Sequence, residues 1–463
     1  MAQHFSYSSE LEQPPAEVFA WHERPGALAR LTPPWVPMRL ESFEGIRDGD
    51  KARIRLGWGP LSVLWVAGHR DYTPGQSFTD DQLDGPFASW THTHRFEETE
   101  RGGCRLTDSI DFKLPAGSVG ALAAGHVRTS LEAQFAYRHA ITKNDLHLHS
   151  RYRTRPLKIA VTGASGLIGS ALVAFLQTGG HTVLRLVRSR PVSDDEIYWN
   201  VRDNVVDAPR LEGLDAVVHL AGENLMAPRW TDAKKQRIYD SRINGTRLLA
   251  TTVASLQRPP SVFVSSSAIG IYGDRGDETI DETSSLDRHS YLAKVCADWE
   301  SACDAARSAG IRTANVRTGI VVSGGGGALA PMLPLFKLGL GGRFGDPRTF
   351  LSWIALDDVV GGLYHIICSD SVSGPVNMTG PDPLNWDDFA TTIGKVVRRP
   401  TFVTVPTWLT GLATGEMGKD VILSGAKVLP RVLKRSGYDF LYPTAESALR
   451  HQLGYPWSAS KER

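Results

Sequence analysis

The sequence has little cysteine, almost no net charge and no long hydrophobic run. Four of its 463 residues are cysteines, and no two form a Cys-x-x-Cys pair, so neither a disulfide framework nor a zinc ribbon is expected. The 51 basic residues are balanced by 50 acidic residues, which argues against the concentrated basic surface of a nucleic-acid-binding protein. No apolar stretch reaches the roughly 20 residues that a membrane-spanning helix needs.

The N-terminus lacks the basic segment and the apolar run that mark a secretory signal peptide. Together with the scarce cysteines, this predicts a cytoplasmic protein with reduced thiols, no membrane span and no nucleic-acid partner. Hydrophobic residues make up 41% and charged residues 22% of the chain, as in ordinary globular proteins. A chain of this length predicts two or three folded domains.

The first 150 residues have the pattern of an antiparallel sheet. Short segments of alternating apolar and polar residues, such as HFSYSSEL, KARIRLGW and WTHTHRF, are separated by turn residues. A helix is expected at PAEVFAWH, where Pro15 suits a first helical turn, and a longer one from Leu122 to Arg138. Residues 1–150 are therefore predicted to form one α+β domain, and the short basic segment 151–156 is predicted to be a linker.

Residues 157–463 have a different pattern, in which buried apolar strands alternate with helices. The apolar segments include LKIAVTG, HTVLRLVRS, DAVVHLAG and SVFVSSSA. This alternation is typical of a Rossmann-type, doubly wound parallel sheet of the α/β class. Beyond Gly324 the chain is rich in glycine and proline, and we interpret this stretch as a small substrate subdomain on the same sheet.

The segment TGASGLIG has the sequence of a dinucleotide-binding loop. It follows an apolar strand and begins a helix, as the motif requires. Gly163 permits the tight turn, Gly166 lets a pyrophosphate approach the backbone, and Gly169 lets helix and strand pack closely. The helix N-terminus offers free amides to phosphate. The predicted cofactor-binding residues of this loop are Gly163, Ala164, Ser165, Gly166, Leu167, Ile168 and Gly169.

The strand after this loop predicts which dinucleotide binds. An NAD site usually has an acidic residue about 20 residues after the glycine motif, where it holds the ribose hydroxyls. Here the strand ends in Arg188, and the first acidic residues are Asp194 and Asp195. A guanidinium in this place pairs with the 2′-phosphate of NADP, so NADP is the predicted cofactor. The alternative is an ordinary surface arginine at a strand end.

Several motifs together resemble the extended short-chain dehydrogenase/reductase superfamily: the glycine loop, HLAG and the triple serine SSS. AGENL, SSSAIGIYGDRGDE, VRTGIVVSGGGGAL and SWIALDDV further resemble one atypical branch, described as nucleoside-diphosphate-sugar epimerases or cell-division-inhibitor-like proteins. This resemblance covers about residues 157–455. Arg242 replaces an asparagine that is usual in the superfamily, and a surface helix arginine is the alternative role for it. The resemblance implies further cofactor contacts at Leu220, Ala221, Gly222, Arg242 and Ser265.

The resemblance also implies an unusual catalytic site. Ordinary extended reductases use a serine, a tyrosine and a lysine four residues after the tyrosine, whose phenol transfers the proton. Ser267 matches the serine, but Leu292 and Cys296 stand at the tyrosine and lysine positions. Tyr291 and Lys294 are only three residues apart and out of phase, since a helix turns about 100° per residue. The candidate catalytic residues are Ser267, Tyr272 and Tyr291, and weak or narrowly specific activity is expected.

The first 150 residues resemble a helix-grip domain of the START-like, polyketide-cyclase-like kind, through FTDDQ and GPFASWTHTHRF. The resemblance implies a cavity for an apolar ligand between sheet and helix; a solid core is the alternative. The aromatic residues concerned are Trp58, Trp65, Phe87, Trp90, Phe96 and Phe135. His92 and His94 face one side of a strand, but no metal site is expected, because no acidic or cysteine partner is evident.

Three functions remain open. The first is an NADP-dependent oxidoreductase or epimerase-like enzyme that acts on a hydroxyl or carbonyl group of a small molecule. The second is a cofactor-binding regulator with little turnover, which the missing tyrosine and lysine favour. The third is a binding module whose N-terminal cavity captures an apolar molecule and delivers it to the reductase half.

Overall fold

The computed structural model describes residues 2–57, 59–115, 123–152, 154–225, 230–344, 346–405 and 425–456. These residues form two compact units. The first is drawn from residues 1–153, 174–180 and 453–463, and the second from residues 154–173 and 181–452. Among the described residues, no helix is both long enough and apolar enough to cross a membrane.

The first unit is built on a seven-stranded antiparallel sheet. Its strands are β1 (Gln3–Leu11), β2 (Met38–Phe43), β3 (Lys51–Leu56), β4 (Val63–Thr73), β5 (Ser77–Asp84), β6 (Ser89–Glu98) and β7 (Cys104–Lys113). They pair in the order β1-β7-β6-β5-β4-β3-β2. The same alternation also shows which side chains face the interior, since every second residue of β7 from Cys104 to Phe112 is buried. The sequence does not predict β2 and β5, because their polar residues hide the alternation.

Helices α1 (Pro15–Glu23), α2 (Ala27–Arg30) and α3 (Ala124–Tyr152) complete the described part of this unit. The helix predicted at Pro15 is confirmed. The longer helix does not end at Arg138 but continues to Tyr152, so the first two residues of the predicted linker are helical. The many polar residues of α3 obscure its apolar pattern in the sequence, but one face of the helix is buried and packs apolar side chains against the sheet.

Aromatic side chains of the first unit pack against one another. The ring centres of Trp65 and Trp90 are 5.1 Å apart, and those of Phe87 and Trp90 are 4.8 Å apart. Phe96 is buried, whereas Trp58 lies outside the described residues. Close ring contacts of this kind build an apolar core.

The rest of the chain alternates strands and helices. The strands are β8 (Lys158–Thr162), β9 (Thr182–Val187), β10 (Glu196–Asn200), β11 (Val205–Val206), β12 (Ala216–His219), β13 (Val262–Ala268), β14 (Thr279–Ile280), β15 (Arg312–Thr318), β16 (Ile320–Val322), β17 (Gly342–Phe344), β18 (Phe350–Leu351), β19 (Trp353–Ala355), β20 (Gly374–Met378), β21 (Leu384–Asn385), β22 (Val403–Val405) and β23 (Lys427–Val428). The helices are α4 (Leu167–Thr178), α5 (Asp232–Ala254), α6 (Tyr291–Ser301), α7 (Asp304–Ser308), α8 (Leu333–Lys337), α9 (Leu356–Cys368), α10 (Trp386–Val397), α11 (Arg431–Arg435) and α12 (Ala445–Leu453).

The second unit is the predicted Rossmann-type α/β fold. Eight strands form one sheet in the order β11-β10-β9-β8-β12-β13-β15-β20. Strand β11 pairs antiparallel with β10, and the other neighbouring strands in this order pair in parallel. The glycine-rich part beyond residue 324 contributes small two-stranded sheets, such as β17 with β22 and β18 with β21. Because β8, β9, β12, β13 and β15 are parallel, their carboxyl ends meet at one edge, and the candidate site lies there.

Candidate functional site

The carboxyl end of β8 continues into the glycine loop, which turns directly into α4. Gly163 has a φ of +67°, a left-handed conformation that favours glycine. A Cβ atom on Gly163 would lie 2.9 Å from the carbonyl carbon of Leu220, and one on Gly169 would lie 2.1 Å from the carbonyl oxygen of Gly163. Neither position therefore admits a side chain. Ser165 and Gly166 are exposed, just before the first turn of α4, whose amides have no partner within the helix.

A hydrogen-bond cluster joins this loop to the end of β12. Oγ1 of Thr162 accepts from the backbone N–H groups of Leu220 and Ala221, both at 3.1 Å, and lies 2.7 Å from Nδ1 of His219. Because Thr162 accepts twice, its own hydroxyl proton is available to Nδ1. Burial lowers the pKa of His219 to about 3, so the ring is neutral. The predicted cofactor residues Leu220 and Ala221 are thus held beside the glycine loop.

Arg242 lies on α5 and is buried beneath the loop after β12. It is therefore not the exposed helix arginine that the sequence left open as an alternative. Its Nη1 donates to the carbonyl oxygens of Glu223, at 3.0 Å, and Ile238, at 3.3 Å. Its guanidinium lies over the Trp299 ring, 5.1 Å from the ring centre. A Cβ atom on the exposed Gly222 would lie 3.3 Å from Cζ of Arg242. Arg242 therefore supports the backbone of the predicted cofactor loop from below.

Arg188 follows β9 at the same edge and is exposed. Within the part of the chain that the structure describes, its guanidinium has no hydrogen bond or ion pair. Arg185, by contrast, pairs with Asp195 at 2.9 Å and with Glu196 at 3.2 Å. Asp195, one of the first acidic residues after the strand, is therefore engaged by Arg185 and leaves Arg188 available to a ligand.

Ser265 is less accessible than the resemblance implies. It lies opposite His219 in the register of β12 and β13 and is completely buried. Its hydroxyl donates to the carbonyl oxygen of Ser266 at 3.3 Å. The side chain of Ser265 is thus part of the sheet core, and the assignment of Ser265 as a cofactor contact stays a prediction.

Ser267, near the end of β13, is bonded to a buried ion pair. Its hydroxyl donates to Oε1 of Glu300 at 2.8 Å. Arg317 donates to the same carboxylate twice, from Nε to Oε1 at 2.8 Å and from Nη2 to Oε2 at 2.9 Å. Burial opposes the charge on Arg317, but the bonds to Glu300 outweigh it and raise the pKa of Arg317 above its usual range. The Glu300 carboxylate therefore accepts three hydrogen bonds from within the protein.

Tyr272 is completely buried and belongs to the same network. Its phenol oxygen accepts from Nη1 of Arg317 at 2.8 Å, and its hydroxyl donates to Oδ1 of Asn377 at 2.8 Å. Burial raises the pKa of Tyr272, which further disfavours loss of its proton. Both hydrogen-bonding roles of the phenol are occupied, so Tyr272 is not the free proton donor that the sequence suggested.

Helix α6 presents uncharged groups at the usual tyrosine and lysine positions. Leu292 packs in an apolar cluster with Ile243 and Trp299. Cys296 is buried, and burial raises the pKa of its thiol to about 12, so the thiol is uncharged at neutral pH. Leu292 has no proton to transfer to a substrate, and neither side chain can act as a cation toward a ribose.

The nearby Tyr291 and Lys294 do not replace that pair. The hydroxyl of Tyr291 donates to the carbonyl oxygen of Lys235 at 2.6 Å, which directs the phenol toward α5. Nζ of Lys294 donates to Oδ2 of Asp298 at 2.9 Å, on the exposed side of α6. The helix register is therefore the one that the sequence predicted, and it turns Tyr291 away from a catalytic role.

Sequence reasoning misses the two charged residues that fix Ser267. Glu300 lies on α6, 33 residues after Ser267, and Arg317 lies on the neighbouring strand β15. Arg317 occurs inside the motif VRTGIVVSGGGGAL, which carries the family resemblance, but no local pattern pairs it with Glu300. The usable signal is Arg317 itself: an arginine within an otherwise buried strand requires a buried acidic partner.

Comparisons with known proteins agree with this geometry. Residues 159–374 match the NAD dependent epimerase/dehydratase family, and residues 405–452 match a domain of unknown function, DUF1731. Epimerase family protein Mb2239 of Mycobacterium bovis is 41% identical over 298 residues, which cover 64% of this chain and 98% of that protein.

Two solved structures are also similar. The crystal structure of a nucleoside-diphosphate sugar epimerase from Corynebacterium glutamicum is 35% identical, with a TM-score of 0.81, and the match covers 98% of this chain and 91% of that one. Human epimerase family protein SDR39U1, crystallised with NADPH, is 30% identical, with a TM-score of 0.59, over 64% of this chain and 99% of that one. The match to the Corynebacterium glutamicum structure therefore extends over the N-terminal residues as well.

Proposed function

The chain belongs to the NAD-dependent epimerase/dehydratase family, and on this basis we propose that residues 157–463 bind NADP(H) and act on a hydroxyl or carbonyl group of a small molecule, as an oxidoreductase or epimerase-like enzyme. The observation that carries the choice of NADP is the exposed Arg188 at the strand edge beside the glycine loop. The NADPH in the human relative supports the same choice.

Different residues of this chain bind the cofactor and orient the substrate. The glycine loop and the first amides of α4 hold the pyrophosphate, and Arg188 holds the 2′-phosphate. NADP(H), when bound, supplies or accepts a hydride. Ser267 orients a substrate oxygen by accepting a hydrogen bond, because its own proton points to Glu300.

Replacing Arg188 with alanine is expected to remove the preference for NADPH. A guanidinium-phosphate contact contributes about 1.5–3 kcal/mol, so wild-type protein should bind NADPH at least about tenfold more tightly than NADH. Isothermal titration calorimetry should show that Arg188→Ala loses this difference, while its affinity for NADH is unchanged.

Arg258→Ala is the matched control for this experiment. Arg258 is also an exposed arginine, but it precedes β13 and so lies at the opposite, amino-terminal edge of the parallel sheet. Its removal should leave both affinities as in the wild type. Equal affinities of the wild type for NADPH and NADH would refute the assignment of NADP.

A second candidate function is a cofactor-binding regulator with little turnover. It is favoured by the uncharged Leu292 and Cys296 and by the fully bonded phenol of Tyr272. General acid-base groups contribute about 10²–10⁴-fold to rates, so a site without a free one should be slow. We expect slow loss of NADPH absorbance with nucleoside-diphosphate sugars or a metabolite pool; NADPH binding with no turnover would favour the regulator.

We also propose that the N-terminal residues up to Tyr152, the last residue of α3, form a separate helix-grip domain of the START-like type. The seven-stranded antiparallel sheet and the long helix α3 support this assignment. An apolar small molecule is the ligand that such a domain would take. The close packing of Trp65, Phe87 and Trp90 supports a filled interior in that part of the domain.

A further inference from the structure

Two histidines and two aspartates of the first unit converge on one face of its sheet. Asp80 of β5 is the cross-strand partner of His92 in β6, and His94 of β6 is the partner of Asp108 in β7. Residues two apart on a strand face the same side, so all four side chains point to the same space. His92, His94 and Asp108 are buried, and the side chain of Asp80 is only 15% exposed. The histidines thus have the acidic partners that the sequence did not reveal.

Three atoms of this cluster are spaced like the ligands of a metal ion. Oδ2 of Asp80 lies 3.2 Å from Nδ1 of His92 and 3.5 Å from Nε2 of His94. One ligand atom from each of the three residues lies within 4.8 Å of the others. Tetrahedral bonds of about 2.0–2.1 Å place neighbouring ligand atoms about 3.3–3.4 Å apart. The two separations bracket this value without any movement of the side chains.

Asp108 lies behind the two histidines, where an orienting carboxylate belongs. It accepts from Nε2 of His92 at 2.8 Å, and its Oδ1 is 2.7 Å from Nδ1 of His94. Its other oxygen, Oδ2, is 2.6 Å from Nε2 of His139 on α3, whose Nδ1 is bonded to Ser9 at 2.6 Å. Metal-binding histidines usually bond to a carboxylate through the nitrogen that is not coordinated, which fixes the ring. His92 makes this bond to Asp108, and the second nitrogen of His94 lies close to the same carboxylate.

The ring of His94 is held with its Nε2 toward Asp80. Its Nδ1 lies 2.7 Å from Oδ1 of Asp108, but this buried nitrogen makes no well-aligned hydrogen bond among the described residues. The ring is fixed by stacking on Phe78, with 4.1 Å between ring centres. A histidine held this way, with Nε2 toward Asp80, is well placed to coordinate a cation.

We propose that the first unit binds one divalent transition-metal ion of the Zn²⁺ class through Oδ2 of Asp80, Nδ1 of His92 and Nε2 of His94. Two imidazoles and one carboxylate suit such an ion better than Mg²⁺ or Ca²⁺, which prefer oxygen ligands. Two buried carboxylates in one cluster also favour a dication, which offsets their charge. Three protein ligands leave a position for water or for an oxygen or nitrogen atom of a ligand.

The test uses the full chain without a polyhistidine tag, stripped with EDTA and titrated with Co²⁺ and then Zn²⁺. We expect one equivalent of Co²⁺ to give the intense visible absorption of a four- or five-coordinate ion, and Zn²⁺ to displace it and raise the melting temperature. Asp108→Asn should weaken binding by about 10–100-fold, and Asp80→Asn and His94→Gln by more.

His4→Gln is the matched control, because His4 forms an exposed pair with Asp111 at 3.0 Å in the same sheet. It should bind Co²⁺ as the wild type does. Circular dichroism in EDTA checks the folding of each variant, and where a variant fails to fold, the wild-type Co²⁺ spectrum decides. A spectrum like that of hydrated Co²⁺, or affinity unchanged in folded Asp80→Asn, would overturn the proposal and leave a metal-free ion pair.

Discussion

Replacing Glu300 with leucine is expected to lower the free energy of unfolding by about 3–5 kcal/mol, because it leaves the buried guanidinium of Arg317 without its carboxylate. The side chain of Arg317 is only 4% exposed, so water cannot take the place of Glu300. The hydroxyl of Ser267 loses its acceptor at the same time. Urea unfolding, followed by circular dichroism, measures the change.

A double variant separates the effect of the unpaired Arg317 charge on the unfolding free energy from the effect of replacing the side chains. Glu300→Leu with Arg317→Met removes both charges and should recover most of the lost stability, since apolar replacements of a buried pair are often tolerated. Asp346→Asn is the surface control: its carboxylate pairs with the exposed Arg348, and the change should stay within about 1 kcal/mol. A stable Glu300→Leu protein would show that Arg317 is not buried as described.

The parts of the site that the sequence predicts are those encoded within one short segment. Gly163 and Gly169 are predictable because a single strand-turn-helix contains the whole motif, and the structure shows the close approaches that exclude side chains there. Leu292 and Cys296 are predictable for the same reason, since both lie on α6 and the expected spacing can be counted along it.

The parts that the sequence does not predict depend on pairing between distant segments. Asp80 faces His92 only because β5 and β6 pair in one register, and a shift by one residue would turn every side chain to the other face. Asp108 joins them through the register of β6 and β7. The pair of Glu300 and Arg317 likewise needs the packing of α6 against the sheet. Residue patterns along one segment do not contain this information.

Restoring the ordinary tyrosine and lysine should damage the protein and not improve it. We expect the double variant Leu292→Tyr with Cys296→Lys to lose about 3 kcal/mol or more of unfolding free energy, because it places an ammonium group in a buried position. At the site of Cys296 the field of Glu300 is opposed by those of Arg242 and Arg317, so the loss of hydration of the ammonium group accounts for most of the cost. The added phenol must also enter the apolar cluster around Leu292.

The pH dependence identifies the charge as the cause. Burial lowers the pKa of a lysine below its value in the unfolded chain, so the unfolded state binds more protons in the interval between the two values. The stability deficit of the double variant should therefore be largest below the folded-state pKa of the lysine and shrink as the pH rises through that interval. Leu292→Tyr with Cys296→Met has a side chain of similar length and no charge, and its deficit should be smaller and independent of pH below the alkaline range in which thiols and phenols ionise. Urea unfolding at several pH values measures both variants. A stable lysine variant that also reduces sugar nucleotides faster than the wild type would show that α6 can form an ordinary reductase site, and that the uncharged pair is a degenerate form of it.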